Sequence, residues 1–136
     1  MNIKVDELPS NYYKCMMMDG DAWLSKCMIG VEEGIWQITG WYTEEHHKKM
    51  GYGKETMKYL LEYLFIKYGE PSGIEYVWNG TNRYVYNFIK DKFDAQCRCP
   101  IAVQKYQAED DWESHIYILN KSKVMDFFNV DGDFNT

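Results

Sequence analysis

The sequence lacks the features that mark secreted and membrane proteins. It has no basic N-terminal segment followed by an apolar run and a small-residue cleavage site, and no apolar run near the ~20 residues that cross a bilayer. None of its four cysteines (Cys15, Cys27, Cys97 and Cys99) forms a CxxC pair. Free, mostly buried thiols in a reducing compartment are therefore expected, and the sequence predicts a cytoplasmic protein with no membrane partner.

Positive charge is scarce as well. The 15 lysines and arginines stand against 21 aspartates and glutamates, which gives a formal net charge of −6. Because a polyanion is bound largely through excess positive charge, no nucleic acid partner is predicted, and the acidic balance mildly favours a cationic acceptor. No metal is predicted either, because the adjacent His46 and His47 cannot easily share one tetrahedral ion and no ligand pair has finger-like spacing.

The sequence does contain enough apolar surface for a packed core. Hydrophobic residues make up 46% and aromatic residues 17% of the 136 residues, and this length is typical of one domain. We therefore predict a single domain over residues 1–136.

Apolar periodicity and turn signals predict the element order β-β-β-α-β-α-β-β, which is typical of a mixed α/β sheet. The predicted strands cover residues 12–18, 22–30, 35–43, 73–78, 97–107 and 113–120, and the predicted helices cover residues 51–68 and 82–93. Strand 73–78 follows a helix, so we expect it to pair in parallel with strand 35–43 through a right-handed crossover. Residues 1–10 are predicted to be a lead-in, and residues 121–136 a short helix with a frayed tail.

The segment H-H-K-K-M-G-Y-G-K-E-T (residues 46–56) joins strand 35–43 to the first helix. The first turn of a helix leaves about four N–H groups without intrahelical partners, and the macrodipole makes that end positive. Lys48, Lys49 and Lys54 crowd this end, where each cation is unfavourable by about 0.3–1 kcal/mol. An anionic ligand would reverse that penalty. Two interpretations stay open: a phosphate site, or solvated lysines beside a glycine-containing turn. The glycine spacing excludes a P-loop and a dinucleotide fingerprint.

Each predicted helix begins in a recognisable motif. The segment K-K-M-G-Y-G (Lys48–Gly53) starts the long helix directly after a glycine-interrupted strand. The segment from Val77 to Phe93 runs from an apolar strand through a turn containing Asn82 into the second helix. Together they resemble the two motifs of the GCN5-related N-acetyltransferase (GNAT) superfamily, whose first motif is [QR]-x-x-G-x-[GA]. Lys48 keeps the positive charge of the family's Gln or Arg position but lacks the planar donor fork of arginine.

The resemblance implies an α/β fold with a mixed, mostly antiparallel sheet, helices on its faces and one parallel strand pair that splays apart at a bulge. Gly40 is the expected bulge, since a glycine inside a strand often marks one. The implied cosubstrate is acetyl-CoA, with its pantetheine arm between the splayed strands and its pyrophosphate on the glycine turn. The implied cofactor-binding residues are Trp41, Tyr42, Thr43, Lys48, Lys49, Met50, Gly51, Tyr52, Gly53, Lys54 and Asn82.

The resemblance also implies an N-acetyltransferase, in which an amine on a small molecule or a protein attacks the acetyl thioester directly. The sequence does not identify that amine. The family's proton-donor position falls on Ile89, with Phe88 beside it, and neither side chain can donate a proton. Tyr84 and Tyr86 lie nearer the start of the helix. We take Tyr86 as the candidate donor.

Candidate general bases lie at the ends of the predicted strands. Glu44 and Glu45 end the glycine-interrupted strand, and Glu33 lies before it. Each of the three is alternatively a surface carboxylate. We take Glu44 as the candidate base.

The N-terminus departs from the family pattern. Family members usually begin with a strand and two helices that form one wall of the acceptor cleft, but only about ten residues precede the first predicted strand here. The fold is therefore expected to be shortened at its N-terminus. Three alternatives stay open for the acceptor side: it is open, completed by a second copy of the chain in a homodimer, or covered by the C-terminal tail. The alternative function is a non-catalytic binding or structural module on the same fold.

Overall fold

The computed structural model describes residues 2–43, 51–78, 83–98 and 115–130. Within these ranges the chain forms seven strands and three helices. The strands are β1 (Asn2–Leu8), β2 (Tyr12–Asp19), β3 (Ala22–Glu32), β4 (Ile35–Thr43), β5 (Gly73–Trp78), β6 (Gln96–Cys97) and β7 (His115–Leu119). The helices are α1 (Tyr52–Tyr68), α2 (Arg83–Phe93) and α3 (Lys121–Phe128).

The strands form one mixed sheet in the order β1-β2-β3-β4-β5-β7-β6. Among the described strands, β4 and β5 are the one parallel pair, and every other neighbouring pair is antiparallel. Helix α1 connects β4 to β5, so the parallel pair arises from the crossover that the sequence predicts. The predicted fold class, a mostly antiparallel mixed sheet with one parallel pair and packed helices, is confirmed.

Helix α1 covers the sheet because its apolar residues recur at helical spacing. The spacing predicts one apolar stripe of Met57, Leu60, Leu61, Leu64 and Tyr68. The first four are fully buried, whereas Tyr68 in the last turn is 42% exposed. The helix ends at Gly69, which adopts a positive φ of 80° and donates its N–H to the carbonyl of Phe65 at 2.8 Å. A glycine at this position ends a helix without steric strain, so the predicted stop is confirmed.

Alternate strand residues point to two differently packed faces. Helix α1 packs on β2, β3 and β4, and α3 packs on α1 and α2. We call the face under these helices the covered face; its buried side chains are Tyr13, Cys15, Met17, Cys27, Ile29, Val31, Trp36 and Ile38. We call the opposite side the second face; it carries Lys14, Met16, Lys26, Met28, Gln37 and Glu75. No described element packs on the second face.

A bulge interrupts β4 where the sequence predicts one. Ile38 pairs with Ile29 and Gly40 with Met28, so Thr39 is the extra residue on β4. A Cβ on Gly40 would lie 2.8 Å from the Tyr42 ring, which explains why glycine follows the extra residue. The bulge at Gly40 is therefore confirmed.

The parallel strands separate at this bulge. Their pairing runs from Ile35 with Gly73 to Ile38 with Tyr76 and goes no further. Beyond it, β4 continues beside β3 as far as Thr43, whereas β5 continues beside β7. We call the gap between the two strand ends the splay.

Residues 2–8 form an edge strand, so the prediction of a lead-in over residues 1–10 is wrong. β1 pairs with β2 along its whole length, and Ile3 and Val5 pack against the core. Charged residues fill most of the other positions, as is common on edge strands, and they hide the alternation. Ser10 and Asn11, both with positive φ, form the turn into β2. This short turn stands where the family's two helices would be expected.

The C-terminal third is described in part. The predicted strand 113–120 is present as β7, and the short helix predicted after it is α3. Of the predicted strand 97–107, the structure describes its start, where β6 pairs with β7. Residues 99–114 and the predicted tail 131–136 lie outside the described ranges.

Candidate functional site

The N-terminus of α1 opens beside the splay. Its N-cap, Gly51, adopts a left-handed conformation with φ 80° and ψ 4°, which glycine reaches without strain. A Cβ added there would meet no atom of the described residues within 4 Å. The N–H of Glu55 donates to the Gly51 carbonyl at 3.0 Å and is the first intrahelical bond. The first turn of a helix precedes this bond, and it is the N–H groups of that turn that bind anions at helix N-termini.

Gly53 has a different role from Gly51. A Cβ on Gly53 would lie 2.8 Å from Thr43 Oγ1 and 3.4 Å from Trp41 Nε1. The Trp41 indole N–H also donates to the Gly53 carbonyl at 2.9 Å. The first turn of α1 thus packs directly on the end of β4. Sequence reasoning attributes both glycines to ligand approach, whereas packing on the strand is sufficient to require Gly53.

Trp41 connects the end of β4 to all three helices. Besides its bond to α1, its ring lies 5.7 Å from the Phe88 ring on α2 and 5.8 Å from the Phe128 ring on α3. Tyr42 points the other way, is 46% exposed and has the Lys26 ammonium 5.7 Å from its ring centroid. The three residues predicted to flank pantetheine therefore form one wall of the splay, with side chains on alternating faces.

Among the predicted cofactor-binding residues, Lys54 contacts an aromatic ring on another helix. Its ammonium lies 4.4 Å from the centroid of the Phe127 ring on α3, a cation–π geometry. Several other predicted site residues lie outside the described ranges; these are Glu44, Glu45, Lys48, Lys49, Met50 and Asn82.

Tyr86 lies beside the second wall of the splay. Its ring packs 4.7 Å from that of Trp78, the last residue of β5, and 5.7 Å from that of Tyr117 on β7. The Lys90 ammonium donates a hydrogen bond to the Tyr86 hydroxyl at 3.4 Å. The phenol is thus held near a strand end that borders the splay.

The neighbouring positions on α2 fit a donor role less well. Ile89, at the family's donor position, is fully buried in the core. Tyr84 is 77% exposed and stacks on Phe88. The sequence offers both Tyr84 and Tyr86 as candidate proton donors. Of the two, Tyr86 is the one in contact with β5.

A second phenol near the splay escaped sequence reasoning. Tyr76 forms the last parallel pair with Ile38 and is 6% exposed. Burial is the main cause that raises the pKa of the Tyr76 hydroxyl well above its usual range, with smaller contributions from Tyr42 and Cys27. The group therefore stays protonated at neutral pH. Its only signal in the sequence is a tyrosine inside an apolar strand, which more often marks packing.

The second face carries a polar group just before the splay. The Glu75 carboxylate accepts hydrogen bonds from Gln37 Nε2 at 3.1 Å and from Arg98 at 2.5 Å. The residue is 9% exposed, and the paired guanidinium offsets the cost of burying its charge. A cavity of about 350 Å³ lies over this group and is also lined by Glu32 and Glu33.

The cavity brings one predicted residue together with three that were missed. Glu33, a candidate base, lies at a positive φ of 50° in the turn between β3 and β4. Gln37, Glu75 and Arg98 come from three separate chain segments, so spacing alone could not group them. The one available signal was a carboxylate inside the buried strand G-I-E-Y-V-W.

Two further site types were searched for in the described ranges. No three His, Cys, Asp or Glu side chains there are grouped closely enough to hold a metal ion. Among the same residues, no helix has the length and apolar character needed to cross a membrane.

Comparison with known proteins identifies the fold. No family model matches the sequence, and no curated protein matches it. Solved structures do match. PaiA N-acetyltransferase from Thermoplasma acidophilum, in complex with coenzyme A, aligns with 80% of this chain and 60% of its own at 11% identity and a TM-score of 0.57. A putative acetyltransferase of the GNAT family from Desulfovibrio desulfuricans aligns with 80% of this chain and 68% of its own at 13% identity and a TM-score of 0.57. The chain has the GNAT fold. Ard1 from Thermoplasma volcanium aligns with 83% of this chain and 73% of its own at 14% identity and a TM-score of 0.55.

A further acetyltransferase structure agrees. An acetyltransferase from Thermus thermophilus aligns with 82% of this chain and 66% of its own, at 13% identity and a TM-score of 0.56. The expected GNAT fold is therefore confirmed as a fold. At sequence identities this low, the matches show a shared fold and do not show a shared function, which has to be argued from the site.

Proposed function

We propose that this GNAT-fold protein is an N-acetyltransferase that moves an acetyl group from acetyl-CoA to an amine. The observation that carries the proposal is the splay between β4 and β5, which opens at the Thr39–Gly40 bulge beside the uncapped start of α1. An extended arm fits such a gap because β4 and β5 pair with each other only as far as Ile38 and Tyr76, so an inserted chain can pair with their facing edges beyond that point. PaiA, which shares the fold, was solved with coenzyme A.

The proposed cofactor site has two parts. Pantetheine pairs with the backbone of Trp41, Tyr42 and Thr43, opposite Val77 and Trp78 of β5. The pyrophosphate binds the N–H groups that start α1. The residues proposed for this second part are Gly51, Tyr52, Gly53 and Lys54, together with Lys48, Lys49, Met50 and Asn82 outside the described ranges.

The proposed reaction is direct attack. The amine nitrogen forms a bond to the thioester carbonyl carbon, the carbon–sulfur bond breaks, and the products are an amide and CoA. A strand N–H near Trp41 stabilises the charge on the thioester oxygen. Glu44 takes the proton that the attacking amine loses. Tyr86, hydrogen-bonded by Lys90, donates a proton to the departing thiolate.

The acceptor is proposed to approach from the second face. No described element covers that face, and α3 packs on the helices of the covered face. The C-terminal segment as far as Val130 therefore does not close it. The acceptor, a small molecule or a protein, meets a cavity lined by Glu33 and Glu75. Completion by a second copy in a homodimer stays a prediction, as do the single domain over residues 1–136 and the cytoplasmic location.

A binding test comes first. Acetyl-CoA should raise the melting temperature, since a ligand that binds only the native state stabilises it. At a ligand concentration of about 100 Kd the stabilisation is about 2.7 kcal/mol. No shift at millimolar acetyl-CoA would reject the proposal. Gly53→Glu is unsuitable as a loss-of-binding variant because its side chain would collide with Thr43 and Trp41 even without ligand.

A turnover test follows, with release of the CoA thiol measured against a panel of amines. Tyr86→Phe should lower kcat about 10²-fold or more while the Kd for acetyl-CoA changes little. Tyr84→Phe is the matched control on the same helix and should leave both unchanged. If Tyr76→Phe lowers kcat and Tyr86→Phe does not, the proton donor is Tyr76.

A second candidate function is a GNAT-fold binding module without catalysis. The buried Ile89 at the family's donor position and the short turn between β1 and β2 favour it. It predicts weak or absent binding of acetyl-CoA, or binding without turnover of any amine. Turnover well above background with one amine would exclude it.

A further inference from the structure

Helix α3 reaches the proposed coenzyme site with two adjacent aromatic side chains. The Phe128 ring packs against Trp41, whose indole N–H holds the Gly53 carbonyl. The Phe127 ring lies under the Lys54 ammonium at 4.4 Å. Helix α3 thus contacts the Lys54 side chain directly and reaches the Gly53 carbonyl through Trp41.

Helix α3 is tied to α2 at its start and closed by a local bond at its end. Asn120 donates its N–H to the Phe93 carbonyl at 2.8 Å, and its side chain accepts from the N–H of Lys123 at 3.0 Å. At the other end, the N–H of Val130 donates to the Met125 carbonyl at 2.8 Å. These bonds tie the helix to the end of α2 and close its last turn, so the aromatic pair has a defined place.

The Phe127 ring is itself held by other rings. Its centroid lies 5.4 Å from that of Phe88, 5.5 Å from that of Phe93 and 4.9 Å from that of Phe128, each in an edge-to-face arrangement. Such pairs favour one orientation of the ring. The face presented to Lys54 is therefore preorganised.

Lys54 is in an unfavourable place for a cation when no ligand is bound. It is the third residue of a helix whose N-terminal end carries a partial positive charge. Its side chain has many rotamers, and most would carry the ammonium away into solvent. The face of Phe127 attracts the ammonium and restricts those rotamers, so the charge stays beside the first turn.

We propose that Phe127 is a positioning residue for coenzyme binding: its ring holds the Lys54 ammonium where it binds a phosphate group of CoA. The inference rests on the proposed coenzyme site and assigns α3 to it. The ligand chemistry is a phosphate, which CoA carries both as a diphosphate and as the 3′-phosphate of its ribose. Phe127 touches neither phosphate and acts through Lys54.

The test is a double-mutant cycle read as the Kd for CoA. Lys54→Met and Phe127→Leu should each weaken binding by about threefold to tenfold. The double variant should be no weaker than Lys54→Met alone, because the ring has nothing left to position. The same cycle with dephospho-CoA separates the two phosphates. If Lys54→Met weakens the binding of dephospho-CoA as much as that of CoA, Lys54 binds the diphosphate. If Lys54→Met does not weaken the binding of dephospho-CoA, Lys54 binds the 3′-phosphate.

Controls separate positioning from general destabilisation. Phe127→Trp keeps a ring face and should retain binding within about twofold. Lys58→Met removes a charge one turn further along α1, where Lys58 pairs with Glu62, and should leave the Kd unchanged. If Phe127→Leu does not fold, Phe127→Met replaces it in the cycle.

Two results would overturn the inference while the coenzyme site stands. One is an unchanged Kd for Phe127→Leu with normal binding by the wild type. The other is an additive loss in the double variant, which would mean that Phe127 and Lys54 act separately. Absence of CoA binding by the wild-type protein would instead reject the proposed function itself.

Discussion

The two faces of the sheet are formed by the same strands but differ in how tightly their side chains are packed. On β3, Ile29 is fully buried under the helices, whereas its neighbour Met28 on the second face is half-buried. The covered face holds the helices and most of the apolar core. The second face holds a cavity and an ion pair between the buried Glu75 carboxylate and the half-exposed Arg98. Because strand side chains alternate, the same strands can give one face to the packed core and leave the other open to solvent.

The splay is where the two faces meet. The extra residue Thr39 shifts the alternation of β4, so Trp41 points to the covered face and Tyr42 to the second face. A coenzyme arm in the splay would be bordered by helices on one side and by the cavity on the other. This arrangement fits a reaction in which the two substrates arrive from opposite faces.

The largest effect expected is on the covered face. Ile29→Ala should lower the free energy of unfolding by about 2–5 kcal/mol, because it removes buried methyl groups and leaves a cavity. Met28→Ala, one residue away on the second face, should cost less than about 1 kcal/mol. Urea denaturation of the two variants measures the difference. Equal losses would mean that the second face is as tightly packed as the covered one.

The next effect separates the two glycines at the start of α1. Gly53→Ala should cost about 1–3 kcal/mol because its Cβ would overlap Thr43 Oγ1. Thr43→Ala should restore at least about half of that loss, as expected for a contact between neighbours. Gly51→Ala should cost about 1–2 kcal/mol through its left-handed conformation, and Thr43→Ala should not restore it. Denaturation of the four variants gives both results.

Features set by local pattern could be predicted from the sequence. The strands β2 to β5 and helices α1 and α2 follow from apolar periodicity, and the bulge follows from a glycine inside a strand. β1 was missed because an edge strand rich in charge has little apolar alternation. Its two inward residues, Ile3 and Val5, were the signal that could have found it.

Features set by which elements become neighbours could not be predicted. The group of Gln37, Glu75 and Arg98 joins segments from three parts of the chain. The packing of Phe127 on Lys54 joins two helices, α3 and α1, that are far apart in the sequence. Neither pair has a spacing rule, because strand order and helix placement decide the contacts.

A smaller effect tests the ion pair of the second face. Arg98→Met should cost about 1–2 kcal/mol because it leaves the Glu75 carboxylate buried without its cation. Glu75→Gln should cost less, because the Arg98 side chain is 51% exposed and water can hydrate it. Chemical denaturation measures both. A larger loss of stability for Glu75→Gln than for Arg98→Met would mean that Arg98, rather than Glu75, bears the cost of burial.

The smallest effect lies at the sheet edge, where β1 meets α1. Glu7 accepts hydrogen bonds from Lys67 at 2.7 Å and from Tyr63 at 2.5 Å, and these bonds, Lys67 first, lower the pKa of the Glu7 carboxyl. Because the pKa of Glu7 is lower in the folded state, its carboxylate stabilises the native state at pH values above the unfolded pKa of 4.5. This stabilisation is lost as the pH falls through the folded-state pKa. The wild type should therefore melt slightly above Glu7→Gln at pH 6, and this gap should close by about pH 3. Because the Glu7 side chain is 49% exposed, the gap should also narrow in high salt, unlike the loss caused by Ile29→Ala. A gap that is independent of pH would mean that Glu7 joins β1 to α1 through packing rather than charge.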